Sequence, residues 1–494
     1  MRKLLWVVAV VALVLTVAAP AMALEFKFGA QYRVRWTTGT NIASAPNVFR
    51  DIPNSNPRSV QLRVRPIFDV SDDNGNIQAR LRLEVGDIEF GNGGGPSGET
   101  NGVSLSGGGT RFGPSSGGGF GGDGVNVETK SAYLDWAMPF GIPLRVRAGI
   151  QPWYLPKGLI VDEDVAGVRA YGTVKPISYE AFWYRLAGGP NRNTPAAPPG
   201  AQAPTVATSN TLDNNYDIYG GKFDFAIAPW LNPGIYGLYA DNRTNCTAEG
   251  GAAAASATAL GNSPTCPDRV RTGYWFGFTA TGTVSIVKYD LDFVYGSTEG
   301  GSTGAFGGAA TPVDVRGFAA DAAVHFPIGP VTINIAGTYA TGDKQNGGKS
   351  EAYPTLAASW NGPGNNFELI GSGGEFDQVE YTQDSPANLW AVGASVEYVP
   401  VKALWLRVGY AFAGFSTNSG NCAVAPGPCY GPVYNARVGK SSLGHEIHLR
   451  ADYTIWTGFK LQAQGGWLIP AGDDPPGINA KTAAEYVFQM VYNF

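Results

Sequence analysis

The sequence predicts an all-β protein: a transmembrane, antiparallel, up-and-down β-barrel of about 18 strands, with 16 as the alternative. Three observations lead to this fold class. Apolar and polar residues alternate with a period of two, in segments near the roughly 9 to 11 residues that a tilted strand needs to cross a bilayer. The links between these segments alternate between short and long. The chain is also rich in glycine (68 residues) and poor in charge (15%), which favours strands and turns over helices.

The N-terminal segment has the layout of a secretory signal peptide. Arg2 and Lys3 precede an apolar run over residues 4–17, and a small-residue triplet follows at 21–23. The run is too short for an anchor, because a membrane-spanning helix needs roughly 20 residues. We therefore expect cleavage after Ala23, so that residues 1–23 are a signal peptide and residues 24–494 form a single barrel domain.

The first predicted strand alternates without a fault. Over residues 26–36 the even positions are apolar or aromatic, from Phe26 to Trp36, and the odd positions include Arg33 and Arg35. The segment at 126–137 alternates poorly. Strands are predicted at 26–36, 60–69, 77–85, 126–137, 143–150, 167–175, 178–187, 216–228, 234–241, 271–281, 284–296, 315–325, 331–341, 389–399, 402–413, 443–455, 458–469 and 483–494.

The connections fall into two classes that alternate along the chain. Short links with turn residues lie at 71–76, 138–142, 175–177, 228–233, 326–330 and 399–401. Long links lie at 37–57, 87–124, 151–166, 188–214, 242–270, 297–314, 342–388, 414–441 and 470–482. Short turns on one side and long loops on the other are typical of an outer-membrane barrel, so we expect periplasmic turns and extracellular loops.

The four cysteines form two local pairs within the long links. Three connectivities are open, and in an oxidising compartment the expected disulfides are Cys246 to Cys266 and Cys422 to Cys429. The chain lacks a haem-attachment motif and a Cys/His set with zinc spacing, so we expect neither a cofactor nor a metal. A net charge of -5 gives no indication of nucleic-acid binding.

The last strand carries a family resemblance. Its outward positions include Tyr486, Phe488, Tyr492 and Phe494. This pattern resembles the terminal strand of bacterial outer-membrane proteins, and the layout of the whole chain is similar to that of outer-membrane porins. Gly444-x-Glu446 and the glycines after it faintly resemble alginate-export-type barrels. The porin resemblance implies a Gram-negative outer membrane with its lipid, recognition of the last strand by the barrel-assembly machinery, and a homotrimer.

Arginines on the polar faces point to the character of the lumen. An Arg or Lys on the lipid face costs roughly 2 to 4 kcal/mol at the midplane, so these side chains must face water inside the barrel. The predicted basic pore lining is Arg33, Arg35, Arg63, Arg65, Arg80, Arg82, Arg145, Arg147, Arg169 and Arg450. The far wall is predicted to be more acidic, with Asp224, Asp290, Asp292, Asp321, Glu397 and Glu485. A basic wall favours anions. The alternative is that the arginines only solvate the lumen and pair with Glu84 or Asp69.

The third long link, at 151–166, is the most apolar of the set. In porins the corresponding loop folds into the channel and places acids opposite a basic wall. The resemblance therefore implies a constriction at Asp162, Glu163 and Asp164, facing the arginines. Its length of about sixteen residues is short for such a reach, and an exterior loop is the alternative.

Three functions remain from different classes. The first is a porin, a water-filled diffusion channel for small hydrophilic solutes that favours anions. The second is a substrate-specific channel or exporter for an acidic polysaccharide or organic anions, and the third is a structural or adhesive barrel. We do not expect an enzyme. The chain has three histidines, and a base formed by His448 with Glu446 is the one catalytic arrangement that their positions suggest.

Overall fold

The computed structural model describes residues 24–41, 58–90, 127–139, 141–187, 215–242, 272–302, 312–342, 349–356, 360–365, 367, 386–417, 442–471 and 481–494. The predicted signal peptide and all four cysteines lie outside these residues, so the cleavage site and both disulfides stay predictions.

The described chain is an antiparallel β-barrel, as predicted. Its wall consists of β1 (Leu24–Thr40), β2 (Arg58–Asp72), β3 (Ile77–Glu89), β4 (Val127–Ala137), β5 (Arg145–Tyr154), β6 (Asp162–Val174), β7 (Ile177–Ala187), β8 (Tyr216–Phe225), β9 (Asn232–Asn242), β10 (Thr272–Val284), β11 (Val287–Ser302), β12 (Pro312–Ile328), β13 (Val331–Ala340), β15 (Leu389–Val401), β16 (Leu404–Phe415), β17 (Ser442–Trp456), β18 (Phe459–Pro470) and β19 (Ala483–Asn493). The two-residue strand β14 (Lys349–Ser350) lies in the connection after β13 and pairs in parallel with β12.

Each wall strand pairs with the next, and the last strand pairs with the first. In the closing pair of β1 with β19, Tyr32 lies opposite Tyr492 and Arg33 opposite Val491. Closure leaves no free strand edge in the wall. This matters inside a bilayer, because backbone N–H and C=O groups find no water in the hydrocarbon layer.

Aromatic residues form a row across neighbouring strands on the outer face. Trp183 lies opposite Tyr219, Tyr219 opposite Tyr239, and Tyr239 opposite Tyr274. Tyr219 and Tyr239 are 46% and 45% exposed. The row lies toward the ends of these strands that lead into the long connections, where an aromatic girdle is expected at the membrane interface.

Two predictions about local structure need correction. The link predicted at 151–166 is much shorter, because β5 extends to Tyr154 and β6 begins at Asp162. The poor alternation of β4 has a physical cause: the β3–β4 register shifts between Arg82 and Leu83, so that Lys130 is an extra residue opposite them. A β-bulge of this kind interrupts the two-residue period.

Helical structure is limited to two 3-10 turns, Pro156–Gly158 and Pro363–Asn365, within the described ranges. No helix in that part of the chain has the length and hydropathy needed to cross a membrane.

Candidate functional site

The barrel interior carries the candidate functional residues, and β1 shows how the sequence places them there. Successive side chains of a strand point to opposite faces of the sheet. Tyr32 and Trp36 are each 43% exposed on the outer face, whereas Arg33 and Arg35 are 5% and 1% exposed. The two-residue period therefore turns aromatic side chains outward and arginines inward.

Arg33 and Arg35 share one carboxylate. Nη2 of Arg33 lies 2.9 Å from Oδ1 of Asp87 on β3, and Nη2 of Arg35 lies 3.8 Å from Oδ2 of the same residue. Arg35 also donates a hydrogen bond to Gln61 Oε1 at 3.0 Å. These contacts cross three adjacent strands and hold both guanidinium groups in fixed positions.

A second carboxylate, that of Glu84, is shared by three cations. Nε of Arg65 donates to its Oε2, Nε of Arg63 lies 3.9 Å from the same oxygen, and Nζ of Lys130 lies 4.0 Å from Oε1. Arg82 has no carboxylate within ion-pair distance among the described residues. Lys130 also lies 3.2 Å from Glu128 Oε2, so the excess of positive charge in this part of the interior lies with the three arginines.

The arginines on β5 and β6 are more fully neutralised. Nε of Arg145 and Nε of Arg147 lie 2.7 and 2.8 Å from the two oxygens of the buried Asp135, which also accepts a hydrogen bond from Tyr171. Arg169 stacks over the Tyr171 ring at 4.5 Å. This cluster is a compact ion-pair network, and Asp135 has little capacity left for another cation.

Two further predicted arginines each have a carboxylate of their own. Arg80 donates two hydrogen bonds to Asp69, at 2.7 and 2.8 Å. Nε of Arg450 lies 2.9 Å from Oδ1 of Asp452. The ten predicted arginines thus differ strongly in local charge balance, and the excess lies with Arg63, Arg65 and Arg82.

The interior also contains an ion cluster that the sequence did not predict. Lys157, in the turn Pro156–Gly158, reaches across the interior to Asp290 and Asp292 on β11 and to Asp321 on β12. Its Nζ lies 2.5 Å from Asp321 Oδ1 and 3.3 Å from Asp292 Oδ2. Burial lowers the pKa of Lys157, but the carboxylates outweigh this and raise the pKa above its usual value, so the ammonium group stays charged.

The short connection between β5 and β6 folds into the barrel. Leu155, Leu159, Ile160 and Val161 are each at most 3% exposed. The inward fold that the porin resemblance implied for this connection is therefore present, but it involves residues 155–161. No local sequence signal marks Lys157 as an interior residue, because a lysine in a connection is ordinarily solvated.

A second inward segment, from the connection after β13, packs against the first. Leu356 N donates to Ile160 O at 3.1 Å, and Tyr353 Oη donates to Leu159 O at 3.0 Å. Trp360 and Phe367 of this segment are 0% and 1% exposed, and Phe367 contacts His448 on β17 edge to face. Two connections therefore fill part of the lumen and narrow what remains.

The three acids that were predicted to form a constriction lie on a strand and not in a loop. Asp162, Glu163 and Asp164 are the first residues of β6 and are exposed. Oδ2 of Asp164 lies 3.9 Å from Nζ of Lys130, which places it at the edge of the basic group. These acids were predicted within a loop because the pairing of Asp162 with Tyr154 has no local signal in the sequence.

The predicted assembly strand closes the barrel. Tyr486, Phe488, Tyr492 and Phe494 are 38%, 40%, 43% and 52% exposed on its outer face. The backbone of Phe494 exchanges two hydrogen bonds with Ala30, each 3.1 Å long.

His448 is buried, and its Nδ1 lies 3.2 Å from Glu446 Oε1. Its ring packs against Gly409 and Phe367. This arrangement is that of a packed interior histidine held by a carboxylate. Of the other two histidines, His325 is hydrogen-bonded to Asp290 and Asn334. His445 is hydrogen-bonded to Tyr410 on the outer face.

Comparison with known proteins supports the assignment of the fold as an outer-membrane-type β-barrel. Residues 227–435 match a protein-family model described as Porin subfamily. A comparison with curated protein sequences finds no match.

Several solved structures are similar over nearly the whole chain. Those of Pseudomonas aeruginosa OccK8 (OprE) and OccK9 (OpdG) each give a TM-score of 0.51, at 12% and 10% identity, and that of Acinetobacter baumannii OccAB4 gives 0.50 at 9% identity. Each comparison covers 95% of this chain and 98% of the other. At these identities the likeness concerns the fold.

Proposed function

We propose that this chain, whose residues 227–435 match a family model described as Porin subfamily, forms a water-filled channel for small hydrophilic solutes in a Gram-negative outer membrane and that the channel prefers anions. The pore lining that we propose consists of the ten arginines predicted from the sequence. The preference would come mainly from Arg63, Arg65 and Arg82, since the other arginines are closer to neutralised.

The observation that carries this proposal is the sharing of Glu84. One carboxylate serves both Arg63 and Arg65, whereas Lys130 lies closer to Glu128 (3.2 Å) than to Glu84 (4.0 Å). Arg82 has no carboxylate within 4.0 Å in the described part of the chain. Two unit charges 4 Å apart interact by about 1 kcal/mol in bulk water and by about 4 kcal/mol at an effective dielectric constant of 20. A passing anion would therefore be concentrated at this wall, most strongly at low salt.

A second candidate, a channel selective for organic anions, is favoured by the two inward segments. A wide barrel of this strand number would leave an open aqueous channel unless it is plugged. Residues 155–161, 352–356, 360–365 and 367 occupy part of that space, so a solute would pass close to the arginines. A carboxylate group could then form paired hydrogen bonds with a guanidinium, which neutral solutes of the same size cannot do.

Single-channel recording in planar bilayers separates these functions. Under a salt gradient, a general anion-preferring porin should give a linear current with a reversal potential on the anion side. A channel selective for organic anions should in addition be blocked by added carboxylates and not by neutral solutes of equal size. A reversal potential on the cation side would contradict the proposed preference, and a complete lack of current would favour a structural barrel.

A further inference from the structure

Lys157 is held in the lumen at an unfavourable backbone conformation. Its φ is 56°, in the left-handed region that favours glycine, and Gly158 follows with a φ of 65°. The side chain is buried and ends among three carboxylates on β11 and β12. A lysine at such a position is unfavourable for the backbone, so its side-chain contacts must compensate.

Asp321 ties both inward segments to the same point on the wall. Its carboxylate accepts the Lys157 ammonium from the first segment and the backbone N–H of Gly364 from the second, the latter at 3.1 and 3.2 Å. Thr338 on β13 donates to it as well. Since the two segments also bind each other through Ile160 and Leu356, they form one body anchored at Asp321.

Lys157 also neutralises part of the negative charge on the wall formed by β11 and β12. Asp290, Asp292 and Asp321 bring three carboxylates together, and Lys157 contacts all of them. His325 contacts Asp290 from the other side, with Nε2 2.8 Å from Oδ2. Without the ammonium group, a concentrated negative charge would face the lumen opposite the arginines and attract cations.

We propose that Lys157 is a specificity-determining residue of the channel. It acts as a counter-ion to the three aspartates and as a latch, meaning that it holds the two inward segments against the barrel wall. It keeps residues 155–161, 352–356, 360–365 and 367 in the lumen, and it masks the aspartate cluster so that the basic wall sets ion preference. The inference on ion preference rests on the proposed function, whereas the latch rests on the contacts alone.

Three variants separate the two roles. Lys157→Met keeps the length of the side chain and removes its charge, and it should raise single-channel conductance about twofold while the reversal potential moves toward cations. Lys157→Arg should restore both properties toward those of the unmodified protein. Asp321→Asn should also raise conductance, because it weakens both ties, but its reversal potential should move toward anions, because it removes a negative charge.

The matched control is Lys222→Met. Lys222 lies on β8 and pairs with a single exposed carboxylate, that of Asp224, at 3.1 Å. It makes no ion pair with the described residues of either inward segment, so conductance should not change. Folding of every variant is checked by the mobility of heated and unheated samples in detergent gels.

The outcomes bear on the two proposals separately. A folded Lys157→Met variant with unchanged conductance and reversal potential would overturn the inference. Hydrogen exchange gives an independent readout, since loss of the latch should speed exchange of the Leu356 and Gly364 amides, and unchanged exchange would overturn the latch. A protein that conducts in no form refutes the proposed channel, while faster exchange in Lys157→Met would still support the latch.

Discussion

Arg33 on β1 and Arg63 on β2 are direct register partners, so two residues of like charge lie side by side across the sheet. Directly opposed like charges destabilise a strand pair, by roughly 0.2 to 1 kcal/mol. Asp87 binds Arg33 at 2.9 Å, whereas the one carboxylate near Arg63 within the described ranges is that of Glu84, which is 3.9 Å away and shared. The barrel therefore gives up some stability to keep Arg63 in place.

Replacing Arg63 should accordingly change stability and selectivity in opposite directions. We expect Arg63→Gln to raise the unfolding free energy by about 0.5 kcal/mol, because it relieves the repulsion from Arg33. The same variant should lose part of the anion preference, as measured by reversal potential. The matched control is Arg80→Gln, which breaks a paired contact with Asp69 and should lower stability with a smaller effect on selectivity. Equal effects of the two variants on selectivity would argue against a special role for Arg63.

Leu291 tests the lipid-facing parity of β11. It is 37% exposed on the outer face, between the register partners Ala280 and Ala322. Leu291→Arg should destabilise the barrel by roughly 2 to 4 kcal/mol if the position is near the midplane. Denaturant-dependent folding into lipid vesicles measures this cost. Thr281→Arg, on the interior face of the neighbouring strand, should cost much less, and equal costs would contradict the assignment of faces.

Arg80 and Leu81 give a direct test of which face meets water. The two neighbours are similarly exposed in the structure, at 42% for the Arg80 side chain and 39% for Leu81. We expect a membrane-impermeant thiol reagent to label Arg80→Cys and to leave Leu81→Cys unlabelled in intact membranes, in a background with the four native cysteines replaced. Labelling at both positions in vesicles would show that Leu81 is not covered by lipid.

Gly393 tests whether the second inward segment narrows the lumen. A side chain at this interior position of β15 would collide with the ring of Phe367. Gly393→Val should therefore displace the segment and increase conductance. Gly337→Val is the control, because its added carbon would lie 3.5 Å from Ala391 O, an ordinary contact distance. Unchanged conductance in a folded Gly393→Val variant would mean that the segment does not limit the current.

Phe494 should matter for assembly more than for the stability of the finished barrel. Its ring contacts Phe28, Tyr32 and Tyr492 on the outer face, contacts worth roughly 0.5 to 1.5 kcal/mol for each aromatic pair. We propose that the barrel-assembly machinery recognises this residue. Phe494→Ala should then reduce the amount of barrel in the outer membrane far more than it lowers the stability of protein refolded in detergent. Proportional losses in the two measurements would point to stability alone.

The strands of the barrel wall could be predicted from the sequence, because each strand has its own two-residue period of apolar and polar residues. Phe26, Tyr32 and Trp36 are exposed and Arg33 and Arg35 are buried, as the alternation in β1 predicts. The two-residue period predicts on which face of the sheet a side chain lies. It does not predict which residue of the neighbouring strand will lie opposite. The extension of β5 to Tyr154 depends on the residues opposite it in β6, and the extra residue Lys130 depends on the register with β3.

The ion cluster at Lys157 could not be predicted either, because alternation within a strand does not show which distant residues will meet. Lys157 and Asp321 are 164 positions apart in the sequence, and they meet only after the barrel has closed and the connection has folded inward. The acids on β11 and β12 were recognisable as interior residues from strand parity. Their partner was not recognisable, since a lysine in a connection is ordinarily solvated.

The pairing of β1 with β19 means that the sheet closes only when strands from opposite ends of the described chain meet. Until these two strands pair, any partial sheet has an unsatisfied edge that lipid cannot hydrate. Entry into the bilayer strand by strand is therefore disfavoured for this chain. The whole polypeptide has to be kept in water, or held by other proteins, before it can become a membrane protein.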